Sequence, residues 1–551
     1  MRPEPNVSMR ASVSVSPDER TPGRAGFFLS AVQGFFSRGG KWSLVLFALV
    51  WAVEIFLVQD ATFRPGLTRD FRGPPLFWAQ VGRFVLDLSF ALWVLSLVPR
   101  RLLWLPLALW QIWSATALGY FSYFRKPLGL QTAKTAFAEG AAVAGMGIDI
   151  IGIPTLALLV GALLVKATLA PRARRVAGST WKLGLVAFVA WLATAGIVNM
   201  GHPLHKMRRT FSFERTGTAY GYFWTWVGEG YFLGDRLLDR AIEVARTRTS
   251  NRLADEIPLP PSDRVVIVQV ESLEDSVVDL EIEGELVMPF LASLREGSLY
   301  YKVEAIHDNG SADADFSMLT GVAPSPDVIT YRLVGYPYGD TLPKIFARAG
   351  YHTQSIHGLY GTFFDRRRVF EGPMGFDEVI FEEELLAHGL PRGKWGLRDL
   401  DVLRYAGDRV RDAEGKLFQF VITLTSHGPF HFLKPEDEEL FPGATRVRPR
   451  YLNSMRYVDR ALREFYERLP EGTLLVIYGD HESATRPIAR REDGSKLEYV
   501  PYIIHHKGHT LQTNDPVRAR DGSLHQLDLV TYIRNYALSL AGAAGATTAS
   551  N

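Results

Sequence analysis

A serine hydroxyl lies between a glycine and two carboxylates in the segment 308–316, which reads DNGSADADF. Serine is a weak nucleophile at its ordinary pKa, and it needs a base or a metal ion to attack a substrate. Ser311 also precedes an apolar run that is typical of a helix, so a helix cap is the alternative interpretation of this residue. Taken alone, the segment favours the cap. The choice depends on what the rest of the chain places near Ser311.

Several polar side chains that could bind a metal ion or transfer a proton follow closely on predicted strands. They are Glu271, His357, His427, Asp480 and His481. Because the site of a parallel sheet lies beyond the carboxyl ends of its strands, we expect these side chains to converge. Together with a serine oxygen, a Glu, an Asp and a His would form a mixed oxygen and nitrogen site for one divalent cation. Such a cation would lower the pKa of the Ser311 hydroxyl.

The second half of the chain alternates apolar, β-branched runs with helical patterns. The predicted strands are 265–270, 353–356, 418–424, 473–478 and 500–505, and the predicted helices between them include 289–296, 341–349 and 451–469. Runs of this composition are typical of strands that are buried on both faces. The alternation predicts a mostly parallel sheet that is covered by helices, with 500–505 as its last strand.

Five apolar runs in the first 200 residues are each long enough to cross about 30 Å of hydrocarbon. They are 42–58, 76–98, 102–121, 150–169 and 181–198. Arginine-rich segments precede the first run and lie in two of the loops, which predicts a cytoplasmic N-terminus and an external location for everything after Val198. Glu54, Arg83 and Asp87 fall inside the runs. For them we favour an ion-pair cluster over a contact with lipid headgroups, since Arg83 and Asp87 have i,i+4 spacing.

These patterns divide the chain into five segments. Residues 1–40 form a disordered cationic cytoplasmic tail, 41–199 the five-span transmembrane domain, 200–261 a juxtamembrane connector, 262–540 the catalytic domain and 541–551 a disordered tail. Within the connector, the aromatic stretch 220–226 is expected in the headgroup region, and 233–248 is expected to form an amphipathic helix.

Composition narrows the classes of function. The net charge of +2 gives no indication of a nucleic-acid partner, and the absence of cysteine excludes disulfides and thiolate chemistry.

Six short motifs in the second half carry a resemblance to a known family. They are VES at 270–272, AGYHT at 349–353 before His357-Gly358, WGLRD at 395–399, SHGPF at 426–430, YGDH at 478–481 and VPYII at 500–504. In this combination, residues 265–536 resemble the sulfatase-like family of the alkaline phosphatase superfamily, and within it the lipoteichoic acid synthases and phosphoglycerol transferases. The resemblance implies an N-terminal five-helix transmembrane domain followed by an α/β alkaline-phosphatase-like domain with a mostly parallel central sheet.

The resemblance also implies roles for individual residues. The metal ligands would be Glu271, Ser311, Asp480 and His481, and the ion would be one divalent cation, Mn²⁺ ahead of Mg²⁺. Ser311 stands where the family's nucleophile, usually a threonine, stands, and His427 stands where a histidine assists the entering or leaving hydroxyl. The residues expected at the phosphoglycerol headgroup are His357, Phe364, Asp365 and Arg366. Phe364 replaces the usual tryptophan, and Arg366 has an alternative interpretation as a surface residue of an Arg-Arg-Arg run.

The implied function is membrane-anchored transfer of phosphoglycerol from the phospholipid phosphatidylglycerol. The reaction would pass through a covalent phosphoglyceryl-serine and end on an envelope glycan or glycolipid. The expected location is the inner (cytoplasmic) membrane, with a periplasmic or extracellular catalytic domain. A phosphoethanolamine transferase or a phosphodiesterase on the same scaffold is the alternative, and a catalytically silent protein that binds lipid headgroups is a rival of another class. Sulfate-ester chemistry is disfavoured, because Ser311 lacks the following proline and arginine that formylglycine formation requires.

Overall fold

The computed structural model describes most of the chain. The described residues are 41–66, 73–124, 127–130, 133, 153–201, 213–232, 236–483, 485–486, 489–490 and 496–549. The predicted cationic tail at 1–40, the start of the fourth apolar run, part of the connector at 202–212 and the last two residues lie outside them.

Five long helices form the N-terminal part of the described chain. They are Lys41–Phe63 (α1), Pro74–Leu97 (α2), Trp104–Phe124 (α3), Ile153–Ala177 (α4) and Trp181–Gly201 (α5). Four segments, which correspond to α1, α2, α3 and α5, are long and apolar enough to cross a membrane. The remaining helix, α4, continues through the arginines at 172–175, which were predicted to lie in a loop. It ends eight residues beyond the predicted apolar run. Residues 170–177 are mostly alanine and arginine, which are good helix formers, and the helix continues past Pro171.

The chain divides into two compact units. The first contains the described residues within 1–56, 84–112 and 158–195, and the second those within 57–83, 113–157 and 196–551. The first unit is helical, and its core consists of apolar side chains from four of the long helices. The second unit contains the connector and every described strand.

Ionisable side chains within the long helices have partners, as expected for groups placed in hydrocarbon. In the first unit, Lys166 Nζ lies 2.7 Å from each carboxylate oxygen of Glu54 and 2.5 Å from Gln111 Oε1. In the second unit, Arg83 Nη2 donates to Asp60 Oδ1 at 3.3 Å. Both contacts agree with the interpretation of Glu54 and Arg83 as members of ion pairs. The partners Lys166 and Asp60 are residues that the sequence did not single out.

The aromatic part of the connector is helical and packs inside the second unit. Two helices form the connector, Phe213–Phe232 (α6) and Leu237–Thr247 (α7). Tyr220 and Tyr222 are buried, and the ring centres of Tyr222 and Phe63 lie 4.4 Å apart. The backbone N–H of Tyr222 donates to Gln59 Oε1 at 2.8 Å. Gly221 interrupts α6 with a φ of 74°, and a Cβ there would lie 2.2 Å from Gln59 Oε1. These two tyrosines therefore pack against protein, and the headgroup depth predicted for the stretch 220–226 stays a prediction.

An eight-stranded, mostly parallel sheet forms the centre of the catalytic domain, which confirms the predicted fold class. Its strands are Arg264–Val270 (β1), Leu299–Glu304 (β4), His352–His357 (β5), Glu378–Ile380 (β6), Leu417–Ile422 (β7), Leu474–Gly479 (β8), Tyr499–His506 (β11) and Leu524–His525 (β12). Their order is β12-β4-β11-β8-β1-β7-β5-β6. Only β11 runs antiparallel to its neighbours. Four further two-residue strands form two small pairs, Glu281–Ile282 (β2) with Glu285–Leu286 (β3), and Ala489–Arg490 (β9) with Lys496–Leu497 (β10).

Helices cover both faces of the sheet. They are Asp275–Val278 (α8), Pro289–Leu294 (α9), Ala312–Thr320 (α10), Leu342–Arg348 (α11), Arg366–Val369 (α12), Glu382–Ala387 (α13), Asp399–Arg411 (α14), Val447–Arg468 (α15), Pro516–Arg520 (α16) and Gln526–Ala549 (α17). Side chains of β1 alternate between two apolar cores, with Val265 and Ile267 in one and Val266 and Val268 in the other. A strand that contributes to two cores is mostly apolar and shows no polar alternation. Its buried exception, Gln269, accepts a hydrogen bond from the Tyr478 hydroxyl at 2.6 Å.

The last predicted strand and the predicted end of the catalytic domain both differ from the structure. The strand predicted as the last, 500–505, is followed by β12, which has only two residues and no sequence pattern of its own. The catalytic domain was expected to end at residue 540, before a disordered tail, but α17 continues to Ala549. Its end is rich in alanine, which has the highest intrinsic helix propensity.

Candidate active site

Ser311 lies at the N-cap position of α10, but its side chain does not cap that helix. Its Oγ makes no capping hydrogen bond and donates instead to Glu271 Oε2 at 2.9 Å. His481 Nε2 lies 3.5 Å from the same oxygen. The preceding Gly310 has a φ of 122°, and a Cβ there would approach Phe364 Cζ to 3.4 Å. The loop therefore presents the hydroxyl to a carboxylate and an imidazole rather than to its own helix.

Glu271 and Asp480 follow two neighbouring parallel strands, which brings their carboxylates together. In the register of β1 and β8, Val270 lies opposite Gly479, so the next residue of each strand emerges at the same edge of the sheet. One ligand atom from each of Glu271, Asp480 and His481 lies within 4.8 Å of the others, and all three residues are buried. Three of the four predicted metal ligands thus lie at one point, and the fourth, Ser311, contacts two of them.

Hydrogen bonds hold these carboxylates in place. The backbone N–H groups of Ser272 and His481 both donate to Asp480 Oδ1 at 2.7 Å. The Ser272 hydroxyl donates to Glu271 Oε1 at 3.0 Å. Ser272 has a φ of 57°, a conformation that costs about 1–3 kcal/mol for a residue with a side chain and is typical of functional sites. This turn directs both carboxylates toward the same point.

The electrostatics of the cluster fit a cation. Burial opposes ionisation of Glu271, but the charges of His427 and His481 lower its pKa well below the usual range. Burial and the neighbouring Glu271 raise the pKa of Asp480. Asp480 Oδ2 is buried and has no hydrogen-bond partner among the described residues. A divalent cation held by Glu271, Asp480, His481 and Ser311 would satisfy this oxygen and offset the repulsion between the carboxylates.

Asp399 holds the loop that carries His427. Its carboxylate accepts hydrogen bonds from two consecutive backbone N–H groups, those of residues 424 and 425, at 2.7 Å and 2.8 Å. Ser426 then donates its hydroxyl to the backbone carbonyl of Glu271 at 2.6 Å. His427 is close enough to Glu271 for its charge to lower the pKa of that carboxyl. The structure therefore places His427 on the same edge of the sheet as the carboxylate cluster.

His357 is neutral and has a defined tautomer. It is the last residue of β5, and its Nδ1 lies 3.0 Å from the carbonyl oxygen of Ile422, so Nδ1 carries the hydrogen. Burial, with a smaller effect from Arg366, lowers the pKa of His357 to about 3. Nε2 is consequently unprotonated, and it is buried without a hydrogen-bond partner among the described residues. It can accept a hydrogen bond from a ligand hydroxyl.

Arg366 belongs to a buried ion pair, which contradicts its alternative interpretation as a surface residue. Arg366 is 2% exposed, and its Nε donates to Asp315 Oδ2 at 2.7 Å. Tyr331 donates its hydroxyl to the other oxygen of Asp315 at 2.9 Å. The guanidinium carbon of Arg366 lies 5.1 Å from the centre of the Phe364 ring. Since Arg366 Nη2 has no partner among the described residues, a fixed N–H donor is still available for a phosphate.

Phe364 and Asp365 have an uncommon backbone conformation. Their φ values are 56° and 65°, so two consecutive residues with side chains adopt the left-handed region. The Asp365 carboxylate accepts a hydrogen bond of 2.7 Å from Arg368 Nε. The turn lets Phe364 lie next to Gly310, beside Ser311, and next to Arg366. The four residues predicted at the headgroup therefore have different contacts. Phe364 and Arg366 lie against each other, Asp365 binds Arg368, and His357 is buried at the end of β5.

Two polar residues near the cluster were not predicted from the sequence as members of the site. The ring of His307 stacks on that of His481, with centres 4.0 Å apart and planes 9° apart, and His307 Nδ1 lies 2.9 Å from Glu498 Oε2. His307 follows β4, a strand that was not predicted, so no strand end indicated it. Asp313 accepts hydrogen bonds from the N–H groups of Asp308 and Asn309 at 2.7 Å and 2.6 Å. Its adjacency to Ser311 was the available signal.

The sulfatase family model matches residues 263–537 of this chain. The chain belongs to the sulfatase family. The match extends from the residue before β1 into the last helix, so this sulfatase-family domain includes the whole eight-stranded sheet and every residue of the site described above.

Curated relatives of this sulfatase-family chain include lipoteichoic acid synthases. A lipoteichoic acid synthase of Staphylococcus saprophyticus is 28% identical over 232 residues, which are 39% of this chain and 35% of that protein. A lipoteichoic acid synthase-like protein of Bacillus subtilis is 23% identical over 282 residues, which are 47% of this chain and 45% of that protein. The chain thus spans less than half the length of these relatives.

Similar solved structures include two proteins with transferase or synthase names. The lipoteichoic acid synthase LtaP from Listeria monocytogenes has a TM-score of 0.41 and 18% identity, and covers 50% of this chain and 72% of its own. The phosphoglycerol transferase GacH from Streptococcus pyogenes, solved with sn-glycerol-1-phosphate, has a TM-score of 0.38 and 16% identity, and covers 57% of this chain and 84% of its own.

Proposed function

We propose that this protein is a membrane-anchored phosphoglycerol transferase that uses Ser311 as its nucleophile. The observation that carries the proposal is the contact of the Ser311 hydroxyl with Glu271, at 2.9 Å, inside a buried cluster that also contains Asp480 and His481. A serine that only capped its helix would direct its oxygen toward the first-turn amides. The lipoteichoic acid synthase relatives support the choice of phosphoglycerol as the transferred group.

In the first half-reaction, Ser311 Oγ, as the alkoxide, attacks the phosphorus of phosphatidylglycerol while His427 is protonated. A bond forms between Oγ and phosphorus, the bond from phosphorus to the diacylglycerol oxygen breaks, and His427 delivers a proton to that oxygen. A phosphoglyceryl-serine ester and free diacylglycerol result. In the second half, His427 accepts the proton of an acceptor hydroxyl and that oxygen bonds to phosphorus. The bond from Ser311 Oγ to phosphorus breaks, which returns Ser311 as the alkoxide and His427 in its protonated form.

A divalent ion would take part in binding the charged substrate. A divalent ion at Glu271, Ser311, Asp480 and His481 would supply a lowered hydroxyl pKa and charge neutralisation at a phosphate oxygen. Two carboxylates, one hydroxyl and one imidazole suit Mn²⁺, with Mg²⁺ as the alternative.

Binding of the headgroup follows from charge and hydrogen-bond capacity. Arg366 is held in a fixed orientation by Asp315, so its free N–H group can meet a phosphate oxygen without loss of side-chain freedom. The lone pair of His357 Nε2 can accept a hydrogen bond from a glycerol hydroxyl. Phe364 and Asp365 directly precede Arg366, and the Phe364 ring lies beside its guanidinium group.

Anchoring in the membrane suits a donor that never leaves the bilayer. We assign the catalytic domain to the outer side of the cytoplasmic membrane, because arginine-rich segments flank the opposite ends of the predicted spans. The acceptor on this side would be a hydroxyl of an envelope glycan or glycolipid.

The test is incubation of the full-length protein in detergent with labelled phosphatidylglycerol and Mn²⁺, followed by mass spectrometry of the products. Release of diacylglycerol together with a phosphoglycerylated acceptor supports the proposal. Release of diacylglycerol with free glycerol phosphate supports a phosphodiesterase on the same scaffold. Turnover of phosphatidylethanolamine in place of phosphatidylglycerol supports a phosphoethanolamine transferase. No turnover of either lipid, with metal bound, contradicts the proposal.

A further inference from the structure

Two imidazole rings lie face to face beside the carboxylate cluster. The ring of His307 stacks on that of His481, one of the proposed metal ligands, with ring centres 4.0 Å apart and planes 9° apart. At this distance and angle the two rings are in van der Waals contact through their faces. One face of the His481 ring is therefore covered by His307.

His481 presents one ring nitrogen to the cluster. Its Nδ1 lies 2.8 Å from the carbonyl oxygen of Glu482, so Nδ1 carries a hydrogen and donates it to that carbonyl. Its Nε2 lies 3.3 Å from Glu271 Oε1 and 3.5 Å from Ser311 Oγ. Nε2 is therefore the atom that would bind a cation, in place of a proton.

The hydrogen bond from Nδ1 does not by itself define the plane of the His481 ring. The χ2 torsion of histidine is broad, because it joins an sp³ carbon to an sp² carbon. A ring that is held at Nδ1 can still tilt, and a tilt changes the direction of the Nε2 lone pair. The parallel ring of His307 limits this tilt, since it occupies the space over one face of His481.

His307 is itself held in place by several contacts. Its Nδ1 lies 2.9 Å from Glu498 Oε2, and this carboxylate belongs to a side chain that is 2% exposed. The backbone N–H groups of the two residues that flank His307 donate to side chains, at 2.9 Å to Gln526 Oε1 and at 2.7 Å to Asp313 Oδ2. Both the ring and the backbone of His307 are thus fixed, so His307 can serve as a rigid surface for the His481 ring.

We propose that His307 is a positioning residue for the metal ligand His481, and that Glu498 holds His307 in this role. His307 acts through the His481 ring rather than on the substrate. The inference rests on the metal site of the proposed function, because it names a residue that determines how tightly this site binds its ion. Groups that orient a metal ligand typically contribute about 10- to 100-fold to metal affinity.

Two substitutions separate the ring contact from the hydrogen bond to Glu498. His307→Gln keeps N–H groups that can donate to Glu498, but it removes the flat ring that covers His481. His307→Phe keeps a flat ring and removes the donor. If the ring contact positions His481, the affinity for Mn²⁺ should fall about 10- to 100-fold in His307→Gln. The loss should be smaller in His307→Phe.

The experiment titrates full-length, metal-free protein in detergent with Mn²⁺ alone. The EPR signal of free Mn²⁺ gives affinity and stoichiometry without any turnover. The matched control is His388→Gln, since His388 is an exposed histidine of the same domain whose ring centre lies 5.3 Å from that of Tyr405. Thermal unfolding of the metal-free proteins establishes that each variant is folded. Diacylglycerol release at increasing Mn²⁺ then gives the half-saturating concentration and kcat.

We expect weaker binding of Mn²⁺ in His307→Gln, a smaller loss in His307→Phe and no loss in the control. The half-saturating Mn²⁺ concentration for turnover should rise by the same factor in His307→Gln, and saturating Mn²⁺ should restore most of kcat. A general structural defect would not be restored by added metal.

An affinity of His307→Gln equal to that of wild type would overturn the inference. So would an equal loss in His307→Gln and His307→Phe, because the ring contact would then have no effect of its own. If His307→Phe does not fold, the comparison of His307→Gln with the control decides. If wild type binds Mn²⁺ but releases no diacylglycerol, the proposed transfer fails and the titration alone decides the role of His307. A wild-type protein that binds no Mn²⁺ would contradict the metal site and this inference together.

Discussion

Ser311 Oγ donates to Glu271 Oε2 at 2.9 Å, although Ser311 occupies the N-cap position of α10. A serine at that position ordinarily stabilises its helix by accepting a hydrogen bond from a first-turn amide. Here the hydroxyl is directed across the site instead, toward the end of β1. The helix start supplies the backbone position, and the carboxylate cluster determines where the side chain points.

Replacement of Ser311 tests this relationship. Ser311→Ala removes the attacking oxygen and one ligand of the proposed metal site, so diacylglycerol release should fall to background. Ser311→Thr keeps the hydroxyl and should retain activity. Ser293→Ala is the control, because Ser293 is exposed and its hydroxyl donates to the backbone carbonyl of Phe290. If Ser311→Ala keeps more than a few per cent of wild-type turnover, another group performs the attack.

Removal of divalent metal should abolish turnover. Glu271 and Asp480 lie together in a buried cluster, and Asp480 Oδ2 has no hydrogen-bond partner among the described residues. Chelation should leave two mutually repelling carboxylates, so the protein should also unfold at a lower temperature. Addition of Mn²⁺ should restore both activity and Tm. Full activity in excess chelator, with no metal detected in the protein, would contradict a metal-dependent mechanism.

His427→Ala should slow the reaction without loss of the metal. A positioned acid–base group typically contributes about 10²–10⁴-fold to the rate, and that is the decrease in kcat that we expect. Metal content should equal that of wild type, because His427 is not among the proposed ligands. His388→Ala, an exposed histidine of the same domain, is the control. An unchanged rate in His427→Ala would show that His427 is not the acid–base group of the mechanism.

The buried pair of Arg366 and Asp315 should contribute far more to stability than an exposed pair. Arg366→Gln leaves the Asp315 carboxylate buried without its charge partner, which typically costs about 3–5 kcal/mol. Arg348→Gln breaks the exposed pair with Asp340, and such pairs contribute about 0–1 kcal/mol. Chemical or thermal unfolding in detergent compares the two variants. Equal destabilisation would show that the Arg366 pair is not the structural element that we describe.

His357 should make stability depend on pH. Its pKa is lowered from 6.5 to about 3 in the folded protein, so below pH 6.5 the unfolded chain binds a proton that the folded chain does not. The contribution of His357 is therefore fully present above about pH 6.5 and decreases as pH falls, by up to about 1.4 kcal/mol per pH unit. Tm measured between about pH 7 and pH 4 should fall less steeply for His357→Gln than for wild type. Parallel curves would contradict the buried, neutral histidine.

The central strands could be predicted because burial on both faces leaves a clear pattern. The runs at 265–270 and 474–479 are almost entirely apolar, with Gln269 as the polar exception, and each lies between two other strands. By contrast, β6 has three residues and β12 has two, and both lie at the edges of the sheet. These strands exist through their pairing with β5 and β4, which is tertiary information that a short sequence segment does not contain.

The site could be predicted in part for a topological reason. Glu271 and Asp480 follow strands that are neighbours in the sheet, so the strand ends alone bring them together. The partner of Arg366 could not be predicted, because in the sequence it is one of three consecutive arginines and Asp315 lies 51 residues away. His307 was missed together with β4, the strand that places it.

The aromatic stretch at 220–226 shows a different limit. Tyrosine and tryptophan are favoured both in the headgroup region of a membrane and in contacts within a protein. Composition alone does not distinguish the two environments. The buried side chains of Tyr220 and Tyr222, and the contact of Tyr222 with Phe63, show protein packing for these two residues, whereas the adjacent Phe223 is exposed.

The most direct test of the central claim is the mass of the peptide that contains Ser311 after reaction with donor. His427→Ala, which should slow breakdown of the ester, is incubated with phosphatidylglycerol and Mn²⁺ without acceptor, quenched in acid and digested. We expect a phosphoglycerol adduct on Ser311, absent from the Ser311→Ala,His427→Ala double variant and from chelated protein. Release of diacylglycerol without an adduct on the Ser311 peptide would contradict this expectation. So would an adduct on another residue.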